Sequence, residues 1–436
     1  MKASFDTHNT LSTGLRFGAA IGVAIGAVLL ALAGSPATAG DWRHFRGSDQ
    51  TAAFRPGEDI PPVRSLDQLA WKSELPGRGP SSPIVTAGRV LVTSAVDPNQ
   101  DELRLSCLDA ETGKTRWEVR FWATGSTVCH AFGGVAGSTP SSDGRVVVVQ
   151  YSSNDLACFD LDGRPRWFRG LGLERPFLRN DVGMASSPRI VGDVVVVQAE
   201  SLLDAVVMGL SLRDGRTLWQ IDRPKEAMWS SPVVIPAGGA TVPGSEAGPW
   251  VLLQSREDFA LIDPKTGRKV TAYPHWCDTV PTAAVWGSQV ALPAAGIHLL
   301  DFDAAKLTLD ARWVSDRVRV SNSSPLLCRN RLYAVKPPNI LVYADAGDGT
   351  LLGQMRLSGS FWASPVIVGQ TLYIPSYEGT LHVVALDADG VPRQREEVEL
   401  EPQILASPAV DDTGLYLRTR SYVWKFAFGS DAIDSK

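Results

Sequence analysis

The feature that most constrains this chain is a short tripeptide that keeps returning. It stands at Ser81-Ser82-Pro83, Ser138-Thr139-Pro140, Ser186-Ser187-Pro188, Ser230-Ser231-Pro232, Ser323-Ser324-Pro325, Ala363-Ser364-Pro365 and Ala406-Ser407-Pro408. The prolines are separated by 57, 48, 44, 93, 40 and 43 residues. The interval of 93 is two repeats, with a degenerate copy inside it at Pro281-Thr282-Ala283-Ala284. Eight units result, with a mean period of about 46, a length that suits a four-stranded propeller blade.

Each unit reads as strands. Runs such as RVLVTS (89–94), RVVVVQY (145–151) and DVVVVQA (193–199) follow the tripeptides, rich in β-branched residues and bounded by Gly and Asp. A second strand ends at an Asp-containing turn, as in LSCLDAETG, LACFDLDG, MGLSLRDG, FALIDPKTG and HVVALDADG. The turn acids Asp109, Asp160, Asp214, Asp263 and Asp387 repeat with the unit and are turn formers. A Trp follows in the outermost strand at Trp117, Trp167, Trp219 and Trp313. Glycine permits the tight turn, and the indole can wedge between neighbouring blades. The tripeptides are scaffold: small residues fit where strands converge on an axis, and Pro is tolerated at a strand start.

The last unit, Ser407 to Phe428, holds only three strands. The segment before the first tripeptide, Leu69 to Leu75, carries the outer-strand pattern with Trp71 in the Trp place. It is expected to complete the eighth blade and remove the free edge. The fold expected is all-β: an eight-bladed propeller of four-stranded antiparallel blades, closed by an N-terminal strand. The propeller is read at 67–428, after an N-terminal extension at 40–66 and before a tail at 429–436. Trp42 and Phe45 are expected to pin the extension to one face. The charged run Arg393 to Glu401 suits an edge strand that blocks aggregation.

Residues 1–39 read as a signal peptide. Lys2 and Arg16 precede an apolar run of 18 residues, Phe17 to Gly34, and Ala37-Thr38-Ala39 forms the cleavage site. No Cys follows for lipid attachment, and no later stretch reaches the ~20 apolar residues that span a bilayer. The chain is expected to be periplasmic or secreted, with no transmembrane segment after cleavage. Acids outnumber bases 47 to 42, which argues against a nucleic-acid partner. The five cysteines, Cys107, Cys129, Cys158, Cys277 and Cys328, are odd in number and form no CxxC or zinc pattern. Cys107 and Cys158 occupy equivalent repeat positions and read as small buried hydrophobes.

The stretch Asp109-Ala110-Glu111-Thr112-Gly113-Lys114-Thr115-Arg116-Trp117 resembles the tryptophan-docking motif of the PQQ-like eight-bladed propellers. The opening Asp41-Trp42-Arg43-His44-Phe45-Arg46-Gly47 resembles that of secreted PQQ-like repeat proteins. The resemblance implies structural docking roles for Trp71, Trp117, Trp167, Trp219 and Trp313. One branch it points to is the BamB-type outer-membrane assembly proteins, which bind partners without catalysis; this chain lacks their lipobox Cys. The other is the quinoprotein dehydrogenases, which hold PQQ with calcium beneath an adjacent Cys-Cys pair. This chain has neither that pair nor a haem-attachment CxxCH.

The residues preceding the tripeptides, Pro80, Gly137, Ala185, Trp229, Asn322, Trp362 and Leu405, are expected to line the mouth of a central channel. Candidate ligand contacts there are Trp229, Trp362, Asn322, Arg179, Asn180 and Arg319, a set of aromatic, amide and cationic groups suited to a planar or anionic molecule. Asp181, Asp278 and Asp316 read as solvated or capping carboxylates, so no metal site is assigned. No catalytic arrangement stands out. The insert Pro236–Pro249 reads as a flexible loop. The function expected is a non-catalytic, monomeric scaffold for an envelope protein partner, with no cofactor. The alternatives are a small-ligand binder or a PQQ-dependent quinoprotein.

Overall fold

The computed structural model describes residues 40–130, 132–235 and 249–429. Residues 1–39, read from the sequence as a signal peptide, the insert from 236 to 248 and the tail from 430 lie outside the described residues. The described residues form eight antiparallel sheets, each a meander of four strands; one gains a fifth, parallel strand. Blade one consists of Ile84–Thr86, Arg89–Val96, Glu102–Asp109 and Thr115–Trp122. Blades two to seven follow at 141–170, 189–222, 233–273, 284–315, 326–356 and 366–399. Blade eight is 409–427 closed by Leu69–Glu74, which runs antiparallel to Tyr422–Ala427. The first and last strands of the propeller thus meet in one sheet, which closes the ring of blades.

Middle strands are buried on both faces because blades stack face to face. All seven residues of Val194–Glu200 are buried, whereas the outer strand Thr115–Trp122 alternates between exposed and half-buried. The apolar clusters lie between blades: Val148, Leu156 and Cys158 of blade two pack with Val195, Val197 and Val206 of blade three. The five cysteines are free, and burial pushes the thiols of Cys107, Cys158, Cys277 and Cys328 up to about 12.

The Trp docking is a pairwise device. Each indole N–H donates to a carbonyl in the next blade's turn: Trp71 to Ala110, Trp117 to Leu161, Trp167 to Leu212, Trp219 to Pro264 and Trp313 to Ala346, at 2.8–3.2 Å. A bulge one residue earlier turns the Trp toward its neighbour. The ring lies on a turn glycine with positive φ; at Gly267 an added Cβ would stand 2.6 Å from Trp219. Where the turn changes, so does the partner. Blade five's turn has Leu307 instead of Gly, and blade four carries no outer Trp. Blade six uses the Tyr333 hydroxyl on Gly390 O, at 2.5 Å.

Candidate functional site: a funnel with one sealed face

The tripeptides build a closed ring of hydrogen bonds. The backbone N–H of Ser82 donates to the Thr139 hydroxyl, Thr139 to Ser187, Ser187 to Ser231, Ser231 to Thr282, Thr282 to Ser324, Ser324 to Ser364, Ser364 to Ser407, and Ser407 back to Ser82. All eight distances fall between 2.8 and 3.2 Å. The middle residue must therefore be Ser or Thr, and the degenerate copy keeps Thr282 for this reason. Each buried amide gains an acceptor that a propeller axis offers no strand to supply.

Below the ring, the extension seals the channel. Trp42 forms a two-way backbone bridge with Val85 of blade one. His44 Nδ1 lies 2.7 Å from Ser141 Oγ of blade two. The fully buried Arg46 reaches the carbonyls of Thr282, Ala283 and Pro325 at 2.6–3.3 Å, joining blades five and six. Gln50 donates to Pro232 O and accepts from Val234 N in blade four. Ala53–Phe54 then adds a parallel strand to blade seven, and Arg55 pairs with Asp412 of blade eight. Trp42 and Phe45 pin the extension as expected, with Phe45 forming part of the channel floor. Burial, then Arg189 and Arg43, hold the His44 imidazole well below its ordinary pKa.

Above the ring, the channel opens into a funnel of about 290 Å³. The residue before each tripeptide lines it, and blade five contributes Val280, which the sequence reading omitted. Trp229, Trp362 and Asn322 are brought together in its wall. Trp229 is fixed by its N–H to Gly183 O at 2.7 Å, while Trp362 is 41% exposed. Arg179, Asn180 and Arg319 are not in this wall. Arg179 is exposed, Asn180 Oδ1 accepts from Val182 N, and Arg319 Nε donates to its own loop at Asp316 O. Their place is taken by His130 and Phe132 from the blade one–two connection, and by Val182 and Met184 from the next. A long, apolar-tipped connection was the available signal for these.

PQQ with calcium can be tested against this donor set. Calcium takes six to eight oxygens, carboxylates prominent among them. Among the described residues no Asp or Glu lines the funnel, and His130 is its one ionisable side chain. Among the described residues no group of three or more His, Cys, Asp or Glu could hold a metal. The funnel residues do not fit that pair.

A closed ring of eight blades, Trp-docked and with its funnel on the axis, is similar to the PQQ-like propellers. Over residues 65–176 and 101–275 the sequence matches the family described as outer membrane protein assembly factor BamB. No curated protein matches the sequence. Among solved structures, BamB from Moraxella catarrhalis is 16% identical, with 83% of this chain and 98% of that chain covered and a TM-score of 0.60. A europium-containing methanol dehydrogenase is 13% identical, covering 88% and 91%, with a TM-score of 0.62. The quinohemoprotein alcohol dehydrogenase from Comamonas testosteroni is 11% identical, covering 92% and 82%, with a TM-score of 0.64. At these identities the likeness speaks for the fold.

Proposed function

We propose that this protein is an exported, non-catalytic and monomeric scaffold that binds a protein partner in the cell envelope through the mouth-side connections of blades one to three. One observation carries the reading. Large apolar side chains stand exposed in these connections: Trp122, Val128, Leu173, Phe177, Leu202 and Leu203, with Phe177 at 68% and Leu202 at 66%. Exposed apolar groups gathered in one region mark interaction sites, whereas scattered ones do not. The likeness to an outer membrane assembly factor supports the same class of role. Among the described residues no helix is long and apolar enough to cross a membrane.

The test is site-specific photo-crosslinking in the source cells, with the crosslinker at residue 177 or 202 and, as a control, at Asp193 on the sealed face. A discrete adduct from the first two positions alone is expected. Equal adducts from all three sink the reading. So does their absence combined with saturable Trp quenching by PQQ plus calcium, which would put a quinone in the funnel against Trp229 and Trp362.

A further inference from the structure

A second recess opens on the mouth face, where blade eight meets blade one. It encloses about 250 Å³ and shares Pro80, Phe132, Gly133 and Leu405 with the funnel, so the two cavities adjoin. Arg78, Arg418 and Arg420 line it, and among the described residues no carboxylate does. Arg418 is 1% exposed. One of its terminal nitrogens, Nη1, donates to the Ser81 carbonyl and hydroxyl. Its Nε and Nη2 have no hydrogen-bond partner. Arg420 donates to Gln403 Oε1 at 3.0 Å. Among the described residues none of the three forms an ion pair with an acid. Over the recess, Phe132 meets Tyr377 edge to face, with centroids 5.4 Å apart.

A buried cation without a counter-ion loses its hydration, and the bonds from one Arg418 nitrogen to Ser81 replace only part of it. Burial lowers the Arg418 guanidinium to about 9, so it still carries its charge at neutral pH. The scaffold does not require this arginine. Arg418 stands across from Ser407, two residues beyond the Ala409–Tyr416 pair. The same register puts Gln150, Gln198 and Gln254 at this place in blades two, three and four. Arg418 is thus a departure from a neutral solution the fold already uses.

We propose that this recess binds the carboxylate of a small aromatic acid, the carboxylate seated on Arg418 and Arg78 and the ring lodged against Phe132 and Tyr377 at the edge of the funnel. Guanidinium groups take carboxylates through paired N–H donors. Arg418 borders the recess with Nε and Nη2 unpartnered just behind its wall, and a turn of the side chain toward the cavity presents them as such a pair. The ring gains the aromatic wall and the adjoining apolar funnel. This site shares the blade one–two connection with the protein-binding face, but its benzoate readout does not depend on a protein partner.

Isothermal titration with benzoate tests it, beside benzamide as the neutral isostere and sulfate as an anion without a ring. Saturable benzoate binding is expected, with no heat from benzamide and weaker binding of sulfate. Arg418→Gln, which installs the residue of blades two to four, should keep the melting temperature and weaken benzoate at least about tenfold. If that variant fails to fold, Arg78→Gln on the recess rim carries the same test, with the same direction. No benzoate binding up to ~10 mM, equal binding of benzamide, sulfate matching benzoate, or folded variants that retain full affinity would each overturn the proposal.

Discussion

The two faces of this propeller part company over apolar surface and over what their buried arginines hold. On the sealed face, Arg46 and Gln50 are buried and bond to the backbone of separate blades, and Arg189 bonds to Ser48 O of the extension, so the extension works as an internal brace across the axis although Arg46 Nε and two Arg189 nitrogens have no partner. On the mouth face, Arg418 is buried with two nitrogens unpartnered and braces nothing beyond Ser81, and Phe177 and Leu202 stand in solvent. A face built for stability uses its buried polar groups for cross-bracing. A face that leaves large apolar side chains in solvent retains capacity for something outside the chain.

The sharpest way to break this contrast is to cut the brace. Arg46→Ala orphans three carbonyls in the channel floor, and unsatisfied buried groups cost about 1–3 kcal/mol each. We expect a loss of ~4 kcal/mol in urea unfolding, within the range for breaking buried polar networks. Trp362→Ala, 41% exposed in the funnel wall, should cost under about 1 kcal/mol. Similar losses for both would erase the division of labour between the faces.

A second comparison separates backbone strain from inter-blade docking. Gly267 and Gly192 have φ of +72° and +59°. An added Cβ meets Trp219 at 2.6 Å in the first and nothing within 4 Å in the second. Gly192→Ala should cost ~1–2 kcal/mol from left-handed backbone alone. Gly267→Ala should cost ~3 kcal/mol, adding overpacking against the indole. Thermal melts of the pair measure the docking directly.

The docking was legible in the sequence because it recurs: Trp and Gly keep fixed places, and repetition exposes scaffold chemistry. The tripeptide was legible as a small-residue motif, but its hydroxyl ring was not. That ring depends on closure, which places Ser407 beside Ser82 across 325 residues. The funnel wall was half legible, since Trp229, Trp362 and Asn322 sit at repeat positions. Arg179, Asn180 and Arg319 lie in connections of irregular length, and no periodicity says which way such a loop turns. Arg46 and Arg418 were missed because charged residues are rarely buried. Arg418 did leave a trace, as an arginine in register with three glutamines.

Acid sharpens the comparison differently. Burial depresses the imidazoles of His44, His298 and His382 in the folded state. The unfolded chain therefore binds more protons, and stability falls as pH drops through the ordinary value of 6.5. Above about pH 7 the curve should be flat. Below, each fully depressed group removes up to ~1.4 kcal/mol per pH unit. His44 belongs to the sealed face alone. His44→Asn should shrink the difference between urea midpoints at neutral and acid pH, and an unchanged difference would remove the brace from any acid response.

The smallest effect on stability is expected where the proposed function is concentrated. Phe177 and Leu202 contribute little to the core, so Phe177→Ser and Leu202→Ser should each change stability by under about 0.5 kcal/mol. The same substitutions should abolish the crosslinked adduct formed from a neighbouring mouth position, residue 173. A residue that is apolar, exposed and dispensable for folding has no structural reason to stay apolar, since a polar side chain there would lower the risk of aggregation. If both variants fold normally and the adduct persists, the exposed apolar surface is incidental and the partner-binding face must lie elsewhere. If the adduct disappears while the melting temperature holds, the mouth of blades one to three is the working surface.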